Sequence, residues 1–454
     1  MIPELKELYA ECKTEVEKDF FDVLRLPSIS TDQGHDEATL KTCEWVANYL
    51  RESGLEVEVW ETPRLPVVFA TWLGAGANTP TVLMYNHYDV QPVDPLDEWE
   101  SDPFEPVVKD GEVYARGAQD NKGQMIYCLA AVRALMRRDG KLPVNLKFIV
   151  EGEEESKSVG LEKILPARKE QLKADVVLVA DLDMANPTTP AVTLGMRGMI
   201  AINVELKGAD GDLHSGMHGG IVYNPLHAMV EMLAKLRDER GRITVPGFYD
   251  DVAPLSDYER SQLSIEIDED AYQETFGALT NGGERDFSAG ERNKIRPTLE
   301  INGIHGGYGG PGTKTVIPAR VEAKLTSRLV KGQDPQKILA SLKSYLHELC
   351  PEGMEMNITD FGAEPALRTA ADVPVVAKVK EAHTEVFGNT CELRLSGGSI
   401  PIISKLGQAA SADVVGLGLG LLDDNIHAPN EHFGLDRLEL GFITMIRILQ
   451  RIGQ

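Results

Sequence analysis

The chain has 454 residues, too many for one ordinary hydrophobic core, so two domains or one domain carrying a large insertion are expected. Hydrophobic residues at 42% and charged residues at 26% exclude a largely disordered chain, and a formal net charge of -25 disfavours nucleic acid and anionic membrane surfaces as partners while favouring cations. The cysteines Cys12, Cys43, Cys128, Cys350 and Cys391 are scattered, odd in number and form no CxxC pair, which argues against a disulfide framework or a thiolate zinc site and suits a reducing cytoplasm.

The opening stretch "MIPELKELYAECKTEVEKDF" is charged where a signal peptide needs an apolar core, and no run reaches membrane-spanning length, so a cytoplasmic location is expected. Leu5, Leu8, Tyr9, Cys12, Val16, Phe20, Val23 and Leu24 recur at helical spacing before Pro27 and predict an amphipathic helix over 4–26. A second helix is predicted over 37–53, ending at Gly54, followed by the alternating strand "LEVEVWET". The short apolar runs "TVLMYN" (81–86), "NLKFIV" (145–150) and "DVVLVA" (175–180) then alternate with helical patterns at 123–137 and 161–171. This alternation reads as α/β with a largely parallel central sheet flanked by helices.

From about Arg197 the texture changes. "GMIAINVELKG" reads as a half-exposed strand, then come a helix over 225–240, a polar stretch to about 295, the strand "TVIPARVEAKLTSRLV", a helix over 334–350 and the strand "MEMNITDF". These form a separate α+β unit, and after about Leu367 the first pattern resumes. The expected organisation is therefore a discontinuous domain over 1–196 and 368–454, with an α+β domain over 197–367 inserted into it.

Ligands of open parallel sheets bind beyond the carboxyl ends of the strands. There "TVLMYN" is followed by His87-Tyr-Asp89, "NLKFIV" by the acidic run Glu151 to Glu155, and "DVVLVA" by Asp181. Asp120 in "ARGAQDNKGQ" precedes a helical pattern, and "DDNIHAPNEH" near the C-terminus offers His427 and His432. Each has an ordinary reading alone: a solvated charge run, a helix N-cap at Asp120, a turn residue at Asp181, a structural histidine at His427. Together they supply imidazole and carboxylate without thiolate, which suits zinc or manganese, and one acid flanked by two His-plus-carboxylate sets suits a pair of ions sharing a bridging carboxylate. Asp89 is placed to accept the ring proton of His87 and fix its tautomer.

"NHYDVQP", "ARGAQDNKG", "EGEEESKSVGLE", "VADLD" and "HAPNE" occur in this order across nearly the whole chain. In this respect the sequence resembles the co-catalytic di-metal peptidases that include carnosinase, cytosolic nonspecific dipeptidase, aminoacylase and succinyl-diaminopimelate desuccinylase. "DLHSGMHGG", "KTVIP", "TSRLV" and "GGSIP" resemble the carnosinase and cytosolic nonspecific dipeptidase branch. The resemblance implies that His87 and Asp181 bind one divalent ion, that Glu155 and His427 bind a second, and that Asp120 bridges them. It further implies a cis Asp120-Asn121 peptide bond, a metal-activated water with Glu154 as general base, and a lid and dimerisation role for the inserted domain. His214 would stabilise the oxyanion across a homodimer interface, and Arg328, Thr315 and Ser399 would hold the carboxylate of a small peptide substrate.

The implied activity is metal-dependent hydrolysis of dipeptides with a free C-terminal carboxylate. An N-acyl amino acid deacylase is the alternative within the same chemistry, and a non-catalytic metal-binding protein on the same fold is a remoter one. His218, His305 and His432 lie near matched motifs without an assigned role. "GYGGPGTKT" (307–315) resembles a phosphate loop, but it has one residue too many between Gly312 and Lys314 and a strand-like segment after it, so nucleotide binding is rejected. Lys157 replaces the small residue that the family usually places after "EES".

Overall fold

Four runs dominated by Val, Leu, Ile and Met, at Thr81–His87, Asn145–Glu151, Val176–Ala180 and Asp413–Leu417, lie side by side as parallel strands. Asn145–Glu151 and Val176–Ala180 are buried at every residue, which explains why they read as continuous apolar runs without alternation. The computed structural model in which they are seen describes residues 2–398 and 400–454. Two compact units divide the chain. Residues 2–194, 369–394 and 402–454 form one, and residues 195–368 with 395–401 form the other.

In the first unit the parallel centre is extended by antiparallel strands, so the sheet is mixed. Val67–Trp72 pairs antiparallel with Asn145–Glu151, and Glu56–Trp60 pairs antiparallel with Val67–Trp72. On the other side, Thr193 and Val192 pair antiparallel with Asp413–Leu417. Helices flank this sheet, among them Ile2–Leu24, Lys122–Asp139 and Leu435–Ile452. Every residue from Lys122 to Leu135 is buried, and this central helix packs against both of the others, whose Tyr9 and Phe442 rings meet edge to face at 5.2 Å.

The second unit is built on four antiparallel strands in the order Thr298–Gly306, Arg320–Leu329, Gly198–Lys207, Glu355–Glu364. Gly198–Lys207 alternates strictly, turning Ile200, Ile202, Val204 and Leu206 into a core shared with Met229 and Met232 of the helix Pro225–Ala234 and Leu342 and Leu346 of the helix Pro335–Leu349.

Three expectations need correction here. The helix expected over 225–240 stops at Ala234, because the chain turns back on itself: Arg237 bridges Ile243 and the Thr244 amide donates to Leu236. The single strand expected over 315–330 is two strands, Val316–Ile317 and Arg320–Leu329, separated at Pro318, which has no N–H for a ladder. The polar stretch before 295 contains short helices, two of them opened by capping boxes at Ser256 and Ser288.

Candidate metal centre

The first unit delivers its chemistry where the strands end. His87 is the last residue of its strand, Asp181 follows the strand Val176–Ala180 directly, and Glu154 and Glu155 sit in the tight turn Glu154–Ser156 just beyond Glu151. Asp120 comes from the other direction, ahead of the central helix. The N-cap of that helix is Asn121, so Asp120 is not spent on capping, and the Asp120–Asn121 peptide bond is cis.

Asp120 divides its carboxylate. One oxygen, Oδ1, lies 3.0 Å from His87 Nε2, while Oδ2 lies 2.9 Å from His427 Nε2. His87 Nε2 is also 3.5 Å from Asp181 Oδ1, and His427 Nε2 is 3.4 Å from Glu155 Oε2. Two sets result, His87–Asp120–Asp181 and Asp120–Glu155–His427, each with its ligand atoms within 4.8 Å of one another. Glu155 Oε1 is buried without a hydrogen-bond partner, an acceptor that a cation would satisfy. Oxygen and imidazole donors arranged this way fit a pair of hard or borderline divalent ions.

The surroundings hold these ligands in place. His87 Nδ1 faces the Asp89 carbonyl at 3.1 Å and the Asp89 carboxylate at 3.3 Å, which leaves Nε2 directed at the centre. The same Asp89 carboxylate accepts the Glu154 and Glu155 amides, so it fixes the turn as well as the ring. Asn121 donates to the Asp181 carboxylate and the Ala180 carbonyl while accepting from Asn86. Gln91 donates to Glu155 Oε2 at 2.7 Å.

Sequence reasoning missed Glu431. It is 1% exposed, and its carboxylate accepts the amides of Gly117, Gln119 and Asp120 together with Arg116 Nη1. The loop bearing Asp120 is therefore pinned by one residue from the far end of the chain. Its only sequence signal was its place in "HAPNE". Glu151 is also spent structurally: its carboxyl meets the Tyr85 and Ser158 hydroxyls, and burial followed by the charge of Asp89 pushes it up to about 8. Glu153 lies beside Thr62, so the acidic run divides into two structural and two site-facing members.

The carboxylates and imidazoles shift one another's proton affinity. Burial raises the carboxyl of Glu154 well above the usual range, and Asp181, Glu155 and Asp120 add to this against the opposing charge of His87. Burial and then Asp120 push Glu155 up to about 7. His427 is raised to about 10 by hydrogen bonds to Asp120 and Glu155. Burial works against a charged His87, yet Asp181 and Asp120 prevail and raise it.

Three expected residues lie on the second unit. His214 is exposed, its Nδ1 accepts the Gly216 amide, and the neutral ring therefore carries its proton on Nε2, which is 3.4 Å from Thr315 Oγ1. Arg328 is half-buried on the strand Arg320–Leu329, opposite Met199, and burial lowers its affinity for a proton. Ser399 lies outside the described residues. His218 ends a short helix, His305 is an exposed strand residue, and His432 stacks on Tyr114 at 4.9 Å; none of them is in either set. The 307–315 segment is irregular and runs into the strand Val316–Ile317.

A protein-family model described as peptidase family M20/M25/M40 matches residues 83–451, which span every candidate ligand named above. The chain belongs to that family. Within it, the chain is 34% identical to human beta-Ala-His dipeptidase over 81% of its own length and 74% of the relative's. It is 30% identical to the Cys-Gly metallodipeptidase dug1 of Schizosaccharomyces pombe, covering 100% and 99% of the two chains. Among solved structures, the M20 family metallo-carboxypeptidase Sso-CP2 from Sulfolobus solfataricus superposes with a TM-score of 0.84 at 32% identity, over 97% of this chain and 99% of that one. Membership makes the chain a peptidase, and its ligand sets agree with that chemistry. No helix among the described residues is long and apolar enough to cross a membrane.

Proposed function

We propose that this chain is a cytoplasmic, homodimeric dipeptidase that hydrolyses dipeptides bearing a free C-terminal carboxylate, using two divalent ions, zinc or manganese, per subunit. The observation that carries the reading is the divided carboxylate of Asp120, one oxygen on each His-plus-carboxylate set. His87 and Asp181 would hold one ion, Glu155 and His427 the other, with Asp120 between them. When bound, such a pair acidifies water and polarises a carbonyl oxygen.

The remaining work falls to the chain. Glu154 takes the proton of the attacking water and passes it to the leaving amine, a transfer suited to a carboxyl whose proton affinity is raised. Asp89 holds both the His87 ring and the turn bearing Glu154. His214 donates its Nε2–H to the developing oxyanion across the dimer interface. Arg328, with Thr315 and Ser399, clamps the substrate carboxylate, for which a planar guanidinium is well matched. The dipeptidase names of the human and fission-yeast relatives support the substrate class.

The decisive experiment is a panel of dipeptides, tripeptides and acetyl or succinyl amino acids, run on chelator-stripped protein and again after zinc or manganese is restored. Metal-restored cleavage confined to dipeptides is expected. Failure to cleave any dipeptide would sink the proposal, and turnover of acyl amino acids alone would convert it to a deacylase. The likeness to the Sulfolobus carboxypeptidase favours a second reading, removal of the C-terminal residue from longer peptides, which the tripeptide arm would reveal.

A further inference from the structure

The second unit contains a small cavity of about 20 Å³ whose polar lining is cationic: Arg197, Lys294, Lys331 and Arg368, with Ile295 and Leu395 among its apolar walls. In a chain of net charge -25, four basic side chains around one space with no acid in the lining call for an explanation.

Carbonyl oxygens, which bring no formal charge, take up several of their hydrogen bonds. Lys294 donates to the Ser264 and Ile265 carbonyls, Lys331 to the Arg368 carbonyl, and Arg368 to the Ala253 and Pro254 carbonyls. Glu259 lies 3.4 Å from Arg368 Nε and brings a negative charge to that side. Arg197 is only 9% exposed and donates through Nε to the Gly397 carbonyl, but its Nη1 is buried without a partner. Glu300, the acid that acts on Arg197 electrostatically, is engaged by Arg237 at 3.1 Å. Burial and the neighbouring positive charge of Arg328 lower Arg197 to about 10.

Guanidinium and ammonium groups are donors with no acceptor capacity, so a cavity lined by them suits a guest that only accepts. A water accepting here would still have two hydrogens to place, whereas a halide only accepts, and about 20 Å³ suits a guest of water or monatomic-ion size. We propose that this cavity of the inserted unit is a halide site, in which a chloride ion accepts from Arg197 and is held by the charges of Arg368 and Lys331. None of these residues belongs to the sets His87–Asp120–Asp181 or Asp120–Glu155–His427.

Crystals of the full chain soaked in sodium bromide and measured at the bromine edge provide the direct test. An anomalous peak within hydrogen-bonding reach of Arg197 is expected, together with a saturable rise of about 2 °C in the unfolding midpoint in chloride relative to gluconate at equal ionic strength. Lys331→Gln, an exposed substitution expected to fold, should weaken the halide response about two- to fivefold, and Arg197→Gln should remove it. The proposal is overturned by a bromide-free cavity, by an oxyanion occupying it in preference to halide, or by identical chloride and gluconate curves in the wild type.

Discussion

Glu154 and Glu155 are neighbours in sequence with opposite assignments, and the separation is testable at single residues. Glu154→Gln keeps the shape of the turn and every ligand, so bound metal should stay unchanged while kcat falls about 10²- to 10⁴-fold; metal analysis beside steady-state kinetics reads both. Glu431→Gln should do the reverse. Replacing one carboxylate oxygen with an amide nitrogen removes an acceptor from the amides of the Asp120 loop, and metal affinity should fall about 10- to 100-fold, seen by competition with a chelating dye. The placing of His87, Asp181 and the acidic pair at strand ends was legible because each is at or just beyond a short apolar run that reads as a buried strand. Glu431 was not, since its partners are backbone amides some 310 positions away and backbone amides leave no trace in a sequence. His383 supplies a pH prediction remote from the centre. It is 1% exposed, with Nδ1 bonded to the Val379 carbonyl and Nε2 unpartnered, and burial lowers it to about 4. Its folded value lies below the unfolded value of about 6.5, so its contribution is complete above pH 6.5 and is lost as the pH falls toward 4. About 2 kcal/mol should vanish between pH 7 and pH 5, and His383→Leu should flatten that slope in urea titrations at the two pH values.

Among the elements, the central helix Lys122–Asp139 is tightly constrained, because it is buried through its first four turns and begins just after the loop bearing Asp120. Gly123 sits where a Cβ would come within 2.1 Å of the Ala118 carbonyl oxygen. Alanine would gain about 1 kcal/mol of helix propensity there, but a clash with backbone is not relieved by a rotamer change, and overpacking of about 1–3 kcal/mol should prevail. Gly123→Ala should therefore lower both the unfolding midpoint and the bound metal, since the displaced segment carries Gln119, Asp120 and Asn121. Elements buried on both faces were easiest to read: Asn145–Glu151 and Val176–Ala180 stand within a residue of the expected runs. Those controlled by tertiary pairing were harder. The end of the helix at Ala234 depends on the Arg237–Ile243 bridge, a pairing that no helical periodicity over 225–240 reveals. The short helices near Ser256 and Ser288 are set by caps and not by an apolar stripe, which is why a polar stretch concealed them.

For the molecule as a whole, the change of texture near Arg197 and its reversal near Leu367 were visible because a sheet covered on both faces and a sheet with one wet face impose different hydrophobic periods. The split of the chain at residues 194/195 and 368/369 follows the same contrast, whereas the grouping of 395–401 with the second unit has no such signature. The centre's dependence on segments at 87, 120, 154–155, 181 and 427 means that most of the first unit must be folded before any ion is held. The forked carboxylate of Asp120 adds a thermodynamic consequence. A single rotamer serves both ligand sets, so whichever ion arrives first prepays the ordering that the second would otherwise incur, and the two affinities must be coupled reciprocally. Loading of the ion-free protein should then be steeper than for two independent sites. His427→Ala, although it touches only one set, should weaken the ion at His87 and Asp181 as well, a linkage that calorimetric titration of the two proteins would expose.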